Sequence, residues 1–361
     1  MVLLLLLLVL GFDFLETTTQ AVWVVPDFAG GVTHTNTYTH PLTTRNGYLM
    51  TIATLTNVSK RYPGIDRPAL ENLSLSIMPG SIVVLVGANG SGKTTAMEIL
   101  SGLREADSGS VVINGRKVVP GGQHRYDIGV QLQEGGLPQR LKVKEAVRSV
   151  SALYQDPGPV DSILHQLGLT DRMNQMVDRL SGGWQRRLDI ALACVGRPQL
   201  LILDEPSSGL DPMARAEMWE FLRSLRSRGT AVLASTHDLT EAEAFADRLL
   251  LLHQGKLLLD GTVPQVLASA GGEWRIRLTE ASDQTEAFLR NRGERPLRQG
   301  ENISVVGERH HLERLSRDID LERAAGGLSY SDLLSGPIRL EDVYAYAANL
   351  TPTASTSGGS S

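Results

Sequence analysis

The chain has 361 residues, of which 42% are hydrophobic and 21% are charged, and this length accommodates two ordinary domains. The composition excludes a fibrous or mainly disordered protein, and a single cysteine, Cys194, excludes an internal disulfide bond and favours a reducing compartment. The formal net charge of -5 argues against a broad nucleic-acid-binding surface, so no nucleic acid is expected as a partner.

The first 49 residues carry no periodic pattern apart from one apolar run. "LLLLLLVL" at 3–10 resembles the apolar part of a signal peptide, but no basic residue precedes it and no clear small-residue cleavage site follows. The run is also too short to cross a bilayer, which takes about 20 residues. We expect residues 1–49 to be a disordered extension or an over-long start, with the first domain beginning near Met50.

Residues 50–264 alternate between strand and helix patterns. "TIATLTNVSKRY" and "NLSLSIMPG" read as strands, whereas "SIVVLVG", "QLLILDEP" and "GTAVLASTHD" have the continuous apolar runs of buried parallel strands. Helical spacing appears in "KTTAMEILSGL" and dominates 136–180. Because strands that alternate with helices indicate a parallel sheet with crossovers, we predict one α/β domain, closed near residue 264 by the hairpin "LLLLHQGKLLLDG".

A smaller α+β domain is predicted over 265–350. "EWRIRL" and "NISVVG" alternate like half-buried strands, and helical patterns follow in "ASDQTEAFLRNRG" and "RHHLERLSRDI". The pair His310 and His311 has no second ligand cluster nearby and is interpreted as a solvated helix face rather than a metal site. Residues 351–361 are predicted to be a flexible polar tail.

The strand pattern at 81–87 leads into "GANGSGKTT" at 87–95, which fits the P-loop spacing G-x-x-x-x-G-K-[ST] between a strand and a helix. The glycines let backbone amides face phosphate groups, Lys93 can reach the β- and γ-phosphates, and the Thr94 hydroxyl can bind Mg²⁺. The N-terminus of the following helix adds its positive end. The other predicted nucleotide contacts of this loop are Gly87, Asn89, Gly90, Ser91, Gly92 and Thr95.

Two carboxylates end the buried strand pattern "LLILDEP". The carboxyl ends of parallel strands form the edge at which α/β proteins bind ligands. We predict that Asp204 holds Mg²⁺ through water and that Glu205 polarises the attacking water molecule. Adjacent strand residues point to opposite faces, so the two acids need not share one role.

Together with the turn "LSGGW" at 180–184, these motifs resemble the ATP-binding cassette (ABC) family, whose ATPase subunits drive transporters. The resemblance covers about residues 51–264. It implies an α/β fold with a P-loop NTPase core, a parallel sheet, an antiparallel β subdomain and a helical subdomain, followed here by the small C-terminal α+β domain. It also implies ATP and Mg²⁺ as cofactors, and Glu205, His237 and Lys93 as catalytic residues.

The resemblance assigns roles to four further positions. Gln133 in "IGVQLQ" matches the Q-loop glutamine, a Mg²⁺ ligand that senses the γ-phosphate, and His237 in "STHD" matches the switch histidine that contacts the γ-phosphate. Tyr62 matches the aromatic residue that stacks on adenine, and Asp211 lies in the D-loop "SSGLDP". Taken singly, Gln133 also fits a polar loop, Tyr62 an edge-strand aromatic and His237 a structural histidine; their order along the chain favours the family roles.

The turn at 180–184 departs from the family pattern at its fifth residue, where Trp184 replaces the usual glutamine. Ser181, Gly182 and Gly183 keep the hydroxyl group and the close backbone approach that nucleotide contact requires, although they also fit a helix N-cap. In the family this turn closes on the ATP held by the P-loop of another subunit. One copy of each half therefore predicts a head-to-tail dimer of ATPase subunits, most simply with C₂ symmetry.

The sequence contains no segment long and apolar enough to span a membrane, so the resemblance implies an integral membrane permease as a separate partner. The helical insert at 136–180 is where family members dock that subunit, which implies a location at the cytoplasmic face of the cell membrane. The sequence of 180–212 and the ending "RLEDVYAYA" resemble those of the bacterial branch of the family that exports drugs, antibiotics or lipids.

Two alternatives belong to other functional classes. A non-transport ABC-type ATPase would act as a soluble binding module on ribosomes or chromosomes, but such proteins usually carry two cassettes or a long coiled coil. An unrelated P-loop kinase leaves "LSGGW", the D-loop and His237 unexplained.

Overall fold

The structure, a computed structural model, describes residues 22–25, 34–37, 44–45, 48–49, 51–132 and 140–350. Gln133, most of residues 1–49 and the predicted tail lie outside the described residues, so what the sequence predicts for them stays a prediction. In the first 49 residues two short antiparallel pairs are described: Val22–Val25 (β1) with His34–Thr37 (β2), and Thr44–Arg45 (β3) with Tyr48–Leu49 (β4).

The strands after residue 50 fall into three sheets in the described part of the chain. In chain order they are Ala53–Lys60 (β5), Leu70–Ile77 (β6), Ile82–Val86 (β7), Ser108–Ile113 (β8), Arg116–Lys117 (β9), Ile128–Gln131 (β10), Leu200–Leu203 (β11), Ala231–Thr236 (β12), Arg248–His253 (β13), Lys256–Gly261 (β14), Trp274–Leu278 (β15), Leu297–Gln299 (β16), Asn302–Gly307 (β17) and Leu333–Pro337 (β18).

The ten α-helices of the described residues include six that are shorter than three turns. In chain order they are Lys93–Ser101 (α1), Val143–Ser151 (α2), Val160–Gln166 (α3), Gly182–Ala193 (α4), Pro212–Ser227 (α5), Leu239–Phe245 (α6), Val263–Ala268 (α7), Asp283–Asn291 (α8), Arg309–Ala324 (α9) and Leu340–Leu350 (α10), with 3₁₀ helices at Gln123–Tyr126, Thr170–Arg172 and Val177–Arg179. None of them, within the described residues, has the length and apolar character of a membrane span.

A six-stranded sheet in the order β10-β11-β12-β7-β13-β14 forms the centre of residues 51–264. Its first five strands are parallel, and β14 pairs with β13 in the antiparallel direction. All residues of β7, β11 and β12 are buried. This explains the continuous apolar runs of their sequences, because a parallel strand with both faces covered needs apolar side chains on both.

The two faces of the central sheet belong to different hydrophobic cores. Ile82 and Val84 of β7 pack in one core with residues of α4 and α5, such as Trp219. Val83 and Leu85 point the other way and pack with Met97 of α1 and with the antiparallel sheet β6-β5-β8-β9. The α2–α3 region belongs to the first core, so the helical insert and α4 lie on one side of the central sheet.

The C-terminal residues form a four-stranded antiparallel sheet in the order β16-β17-β15-β18, with α8 and α9 contributing to its core. The chain order β-α-β-β-α-β is that of a ferredoxin-like unit. The strands β16 and β18 are not predicted by the sequence; β18, "LLSGP", ends in Gly-Pro and lacks alternation, as an edge strand tolerates. After β18, α10 returns to the central region, where Leu340, Val343 and Ala347 join the first core.

Candidate nucleotide site

The P-loop is fixed between β7 and α1 by close backbone packing. A Cβ atom at Gly87 would collide with the carbonyl oxygen of Leu252 and with Ser91 Oγ. Gly92 has a φ of 109°, and a Cβ atom there would collide with the carbonyl oxygen of Ala69. Glycine is therefore required at both positions, because a side chain at either would collide with neighbouring atoms, and at Gly92 also because the positive φ would strain any other residue.

Lys93 is the first residue of α1 and folds back over the loop. Its Nζ atom donates to the carbonyl oxygens of Gly87, at 2.7 Å, and Ala88, at 3.3 Å. The side chain is buried, and this burial lowers the pKa of Lys93, while the negative charges of Glu205 and Asp204 act to raise it. The cation thus lies at the inner face of the loop, where it can stabilise phosphate charge.

Asp204, at the end of β11, is fully buried and held by two hydroxyl groups. Thr94 Oγ1 donates to Asp204 Oδ2 at 2.8 Å, and Ser235 Oγ donates to Asp204 Oδ1. Ser235 also accepts a hydrogen bond from the backbone nitrogen of Glu205, at 2.9 Å. Sequence reasoning missed Ser235; its one signal was its place at the end of the apolar run "AVLAS", two residues before His237.

Glu205 and His237 are in direct contact. His237 Nδ1 and Glu205 Oε1 are 3.1 Å apart. The φ angle of Glu205 is 49°, in the left-handed region, which costs a non-glycine residue about 1–2 kcal/mol. The turn after β11 is therefore strained at the residue predicted to activate water, and this conformation brings the Glu205 side chain to the cavity edge.

Gln131, at the end of β10, is a second residue that the sequence did not single out. Its side chain is buried, and Nε2 donates to the carbonyl oxygens of Leu132, at 2.9 Å, and Asp204, at 3.3 Å. The backbone nitrogen of Asp204 in turn donates to the carbonyl oxygen of Gln131 at 2.9 Å. The strand that leads to Gln133 is thus tied directly to the carboxylate strand.

A cavity of about 460 Å³ lies over the P-loop. At one end the Tyr62 hydroxyl group is 3.3 Å from Thr95 Oγ1, and the Arg104 guanidinium lies 5.1 Å from the centre of the Tyr62 ring. Ile65 and Arg67, which the sequence did not single out, also line this cavity. The sequence-predicted residues that line it are Tyr62, Asn89, Gly90, Gly92, Lys93, Thr94, Thr95 and Glu205.

The turn at Ser181–Gly183 is not part of that cavity. Ser181 occupies the N-cap position of α4 but its hydroxyl makes no capping bond, and both Ser181 and Gly182 are exposed. A Cβ atom at Gly182 would meet no described atom within 4 Å. Asp211 also lies elsewhere: it is exposed, and its Oδ1 atom accepts from the Ala214 nitrogen at 2.9 Å as the N-cap of α5.

Trp184, which stands where the family pattern has glutamine, is held between two arginines. The guanidinium of Arg172 lies 3.8 Å and that of Arg187 4.9 Å from the centre of the indole ring. The next residue, Gln185, turns inward, with Nε2 donating to the carbonyl oxygens of Val177, at 3.0 Å, and Leu180, at 3.3 Å. Gln185 therefore supports the base of the turn and does not replace the missing amide on its surface.

A buried parallel sheet, a P-loop, and a threonine and an aspartate brought together at its edge define a P-loop nucleotide hydrolase. The family model described as "ABC transporter" matches residues 70–208. The chain is 35% identical over 229 residues to the daunorubicin resistance ATP-binding protein DrrA3 of Streptomyces coeruleorubidus, covering 62% of this chain and 72% of that protein. It is 37% identical over 221 residues to the Nod factor export ATP-binding protein I of Burkholderia thailandensis, covering 60% and 72%.

Solved structures agree with these relatives. An ATP-binding subunit of an ABC transporter is 27% identical with a TM-score of 0.56, covering 60% of this chain and 92% of that one. A dimeric bacterial ABC transporter cassette is 28% identical with a TM-score of 0.54, covering 58% and 98%. The chain belongs to the ABC transporter family: it is an ATP-binding ATPase, the nucleotide-binding subunit of a transporter. The predicted family, α/β fold and ATPase activity are confirmed.

Proposed function

We propose that this ATPase powers an exporter of drugs, antibiotics or lipids and that it works through ATP-dependent closure of a head-to-tail dimer. The main support is the separation of the two nucleotide-binding motifs. The P-loop and Glu205 line one cavity, whereas Ser181 and Gly182 are exposed and are not part of its lining. A second subunit that presents its own turn to the cavity would complete the site.

The residues around the cavity supply the groups that phosphoryl transfer needs, namely positioning, charge neutralisation and an oriented water molecule. Lys93 and the backbone amides at the start of α1 hold the phosphates, and Tyr62 stacks on the base. Glu205 polarises the attacking water, and His237, which contacts Glu205 Oε1, reaches toward the γ-phosphate. Asn89, Gly90, Ser91 and Thr95 complete the contacts of the loop.

The oxygen atoms of Thr94 and Asp204 fit Mg²⁺, because a hydroxyl and a carboxylate are the hard donors that this ion prefers, and they lie 2.8 Å apart. We assign Thr94 and Asp204 to the ion, with Gln133 as a further ligand. Bound Mg²⁺ neutralises phosphate charge. Ser235 keeps Asp204 in place by donating to its other oxygen.

The turn Ser181–Gly183 and the D-loop residue Asp211 belong, in this proposal, to the interface with a second ATPase subunit. The Ser181 hydroxyl and the amides at the start of α4 are free to meet phosphate oxygens, and a helix N-terminus favours an anion. ATP then binds two subunits at once, and hydrolysis weakens their contact. The closed dimer binds ATP more tightly than ADP, and this difference in affinity couples hydrolysis to transport.

The other proposed partner is an integral membrane permease, which places the chain at the cytoplasmic face of the membrane. The proposed ATPase domain covers residues 50–264, and the accessory domain covers 265–350. Two relatives, a daunorubicin resistance protein and a Nod factor export protein, support export. One similarly related protein, 38% identical over 207 residues, is an aliphatic sulfonates import ATP-binding protein of Cupriavidus necator, so direction must be measured.

Purification of the full-length chain from cross-linked native membranes tests the partner. Recovery of an integral membrane protein together with a second ATPase subunit is the expected result. Recovery with ribosomes or chromosomes and without any membrane protein would contradict the transporter role and favour a binding module. Vesicles containing the recovered complex then test the direction: ATP-dependent export of an amphipathic drug or lipid supports the proposal, whereas ATP-dependent import opposes it.

A further inference from the structure

The C-terminal helix α10 connects the accessory domain to the ATPase region. On one side, Leu340, Val343 and Ala347 are buried in the core beside the central sheet. On the other side, Asp342 accepts two hydrogen bonds from Arg275 Nη1 of β15, at 2.9 and 2.8 Å, and is 5% exposed. A buried and doubly hydrogen-bonded ion pair fixes relative position strongly, since breaking it leaves a charge without a partner.

Tyr344 is the residue of α10 that meets the edge of the nucleotide-binding region. Its hydroxyl oxygen lies 3.3 Å from Nδ1 of His253, and the two rings meet edge to face with centres 6.1 Å apart. Burial, with a smaller contribution from the Arg67 charge, lowers the pKa of His253. The lowered pKa favours the neutral ring, whose Nδ1 atom can accept a hydrogen bond from the Tyr344 hydroxyl group when Nε2 carries the proton.

His253 ends β13, and the turn that follows it supports the P-loop. The backbone nitrogen of Gly255 donates to the carbonyl oxygen of Ser91 at 2.9 Å, and the carbonyl oxygen of Gly255 accepts from Glu71 at 2.9 Å. The carbonyl oxygen of Leu252, next to His253, lies so close to Gly87 that a Cβ atom there would collide with it. The turn is thus wedged between the P-loop and β6.

The P-loop depends on this turn for its position near Ser91. Ser91 is 4% exposed, and its Oγ atom has no hydrogen-bond partner among the described residues, so its backbone bond to Gly255 is what ties the residue to a neighbouring segment. A displacement of the turn therefore moves the loop directly. Tyr344 contacts His253, the residue immediately before the turn, from the helix that also contacts the accessory sheet.

We propose that Tyr344 is a positioning residue for the P-loop, acting through His253 and the β13–β14 turn, so that its contact with His253 raises the affinity for nucleotide. The inference rests on the proposed role of the P-loop as the phosphate site. It assigns to helix α10, which lies outside the P-loop and carboxylate motifs, a part in holding the nucleotide site.

The test compares Tyr344→Phe and Tyr344→Ala with Tyr346→Phe in the full-length chain. Tyr346 is the matched control, because it lies on the same helix but its hydroxyl donates to the carbonyl oxygen of Ser304 in the accessory sheet, at 3.0 Å. Binding of MgADP is measured by calorimetry, together with KM and kcat for MgATP and the thermal unfolding midpoint. Loss of one neutral hydrogen bond should weaken MgADP binding about threefold in Tyr344→Phe, and loss of the ring contact about tenfold in Tyr344→Ala.

The expected signature is a rise in KM with a smaller change in kcat, seen in the Tyr344 variants and not in Tyr346→Phe. A double-mutant cycle adds His253→Ala: Tyr344→Phe should have no further effect in that background. Wild-type affinity in both Tyr344 variants, an equal loss in Tyr346→Phe, or additive effects with His253→Ala would each overturn the inference. Lys93→Ala separates the two ideas, because failure of that variant to weaken MgADP binding would contradict the P-loop assignment itself.

Discussion

The P-loop and the turn at Ser181–Gly183 are both glycine-rich and both open a helix, yet the chain holds them in different ways. At Gly87 and Gly92 a side chain would collide with backbone of the same chain. At Gly182 a Cβ atom would meet no described atom within 4 Å. Packing within the subunit requires glycine at these two P-loop positions, whereas packing within the subunit does not require it at Gly182, where we propose a contact with a second subunit.

The side chains of the two motifs also differ in how far they are hydrogen-bonded within their own chain. Beside the P-loop, Asp204 accepts hydrogen bonds from Thr94 and Ser235, so the carboxylate is held within the chain. In the turn, the Ser181 hydroxyl makes no capping bond although it occupies the N-cap position. The P-loop side is therefore held by contacts within its own chain, whereas the Ser181 hydroxyl is left available for the partner subunit's nucleotide that we propose it meets.

The largest expected effect comes from removing the Glu205 carboxylate beside the P-loop while leaving the turn at Ser181–Gly183 intact. Glu205→Gln keeps the size of the side chain and removes the carboxylate that we propose polarises water, so phosphate release at saturating MgATP should fall at least about a hundredfold. ATP binding should persist, and light scattering should show a dimer trapped by MgATP. Glu220→Gln, on the exposed face of α5, is the matched control. Near-normal turnover in Glu205→Gln would remove Glu205 from its role.

The second prediction breaks the turn and leaves the P-loop intact. Gly182→Ala fits the chain sterically, so its unfolding midpoint and its MgADP affinity should match the wild type. Hydrolysis should slow about tenfold, because the methyl group blocks the approach of phosphate oxygens and a hydrogen bond to a charged group is lost. Gly336→Ala, another open position, controls for the methyl group itself. Full-speed hydrolysis in Gly182→Ala would end the half-site interpretation of the turn.

A third prediction measures how much the hydrogen bonds of Ser235 beside the P-loop contribute to hydrolysis. Ser235→Ala removes the buried donor to Asp204 Oδ1 and the acceptor of the partly buried Glu205 nitrogen. We expect turnover to fall about fivefold, with a higher Mg²⁺ concentration needed for half-maximal rate, because each group left without a partner costs about 1–3 kcal/mol. Ser227→Ala, which changes an exposed serine of α5, is the control. An unchanged Mg²⁺ dependence would show that Thr94 alone holds Asp204.

The smallest expected effect concerns Asp189, on the helix behind the turn. Burial raises the pKa of Asp189 from 3.8 to about 6, although the Arg186 charge opposes the shift. Because the folded protein binds this proton more tightly than the unfolded chain does, the protonated carboxyl group stabilises the fold. This stabilisation is lost as pH rises from about 4 through about 6. Asp189→Asn should avoid this loss, and its advantage in unfolding free energy should grow with pH.

The size of that advantage is bounded by the shift itself. About two pKa units correspond to an upper limit of about 3 kcal/mol, which solvent screening of a partly exposed group reduces to about 1 kcal/mol. Thermal unfolding of the variant and the wild type at pH 5 and pH 8 checks the prediction, with the exposed Asp332→Asn as control. A difference between variant and wild type that does not change with pH would contradict it.

Prediction from the sequence succeeded best where structure and chemistry are local. Ile82–Val86 and the P-loop after it are specified by a continuous apolar run and by glycine spacing, and both features belong to one short segment. The edge strand Leu333–Pro337 was missed because its residues are mostly exposed and show no alternation. Ser235 and Gln131 were missed because the role of a polar residue at the end of an apolar strand depends on its hydrogen-bond partner, which the sequence pattern does not reveal.

The motifs of the sequence predicted the family by their resemblance to ABC ATPases. Local patterns predicted the buried strands and the P-loop, because spacing along a strand, a loop or a helix is set by covalent geometry. Only the tertiary structure decided which distant residues meet. Thr94 contacts Asp204 across 110 residues, and His253 contacts Tyr344 across 91. The pairing of strands and the packing of helices create these contacts, and no local pattern encodes them.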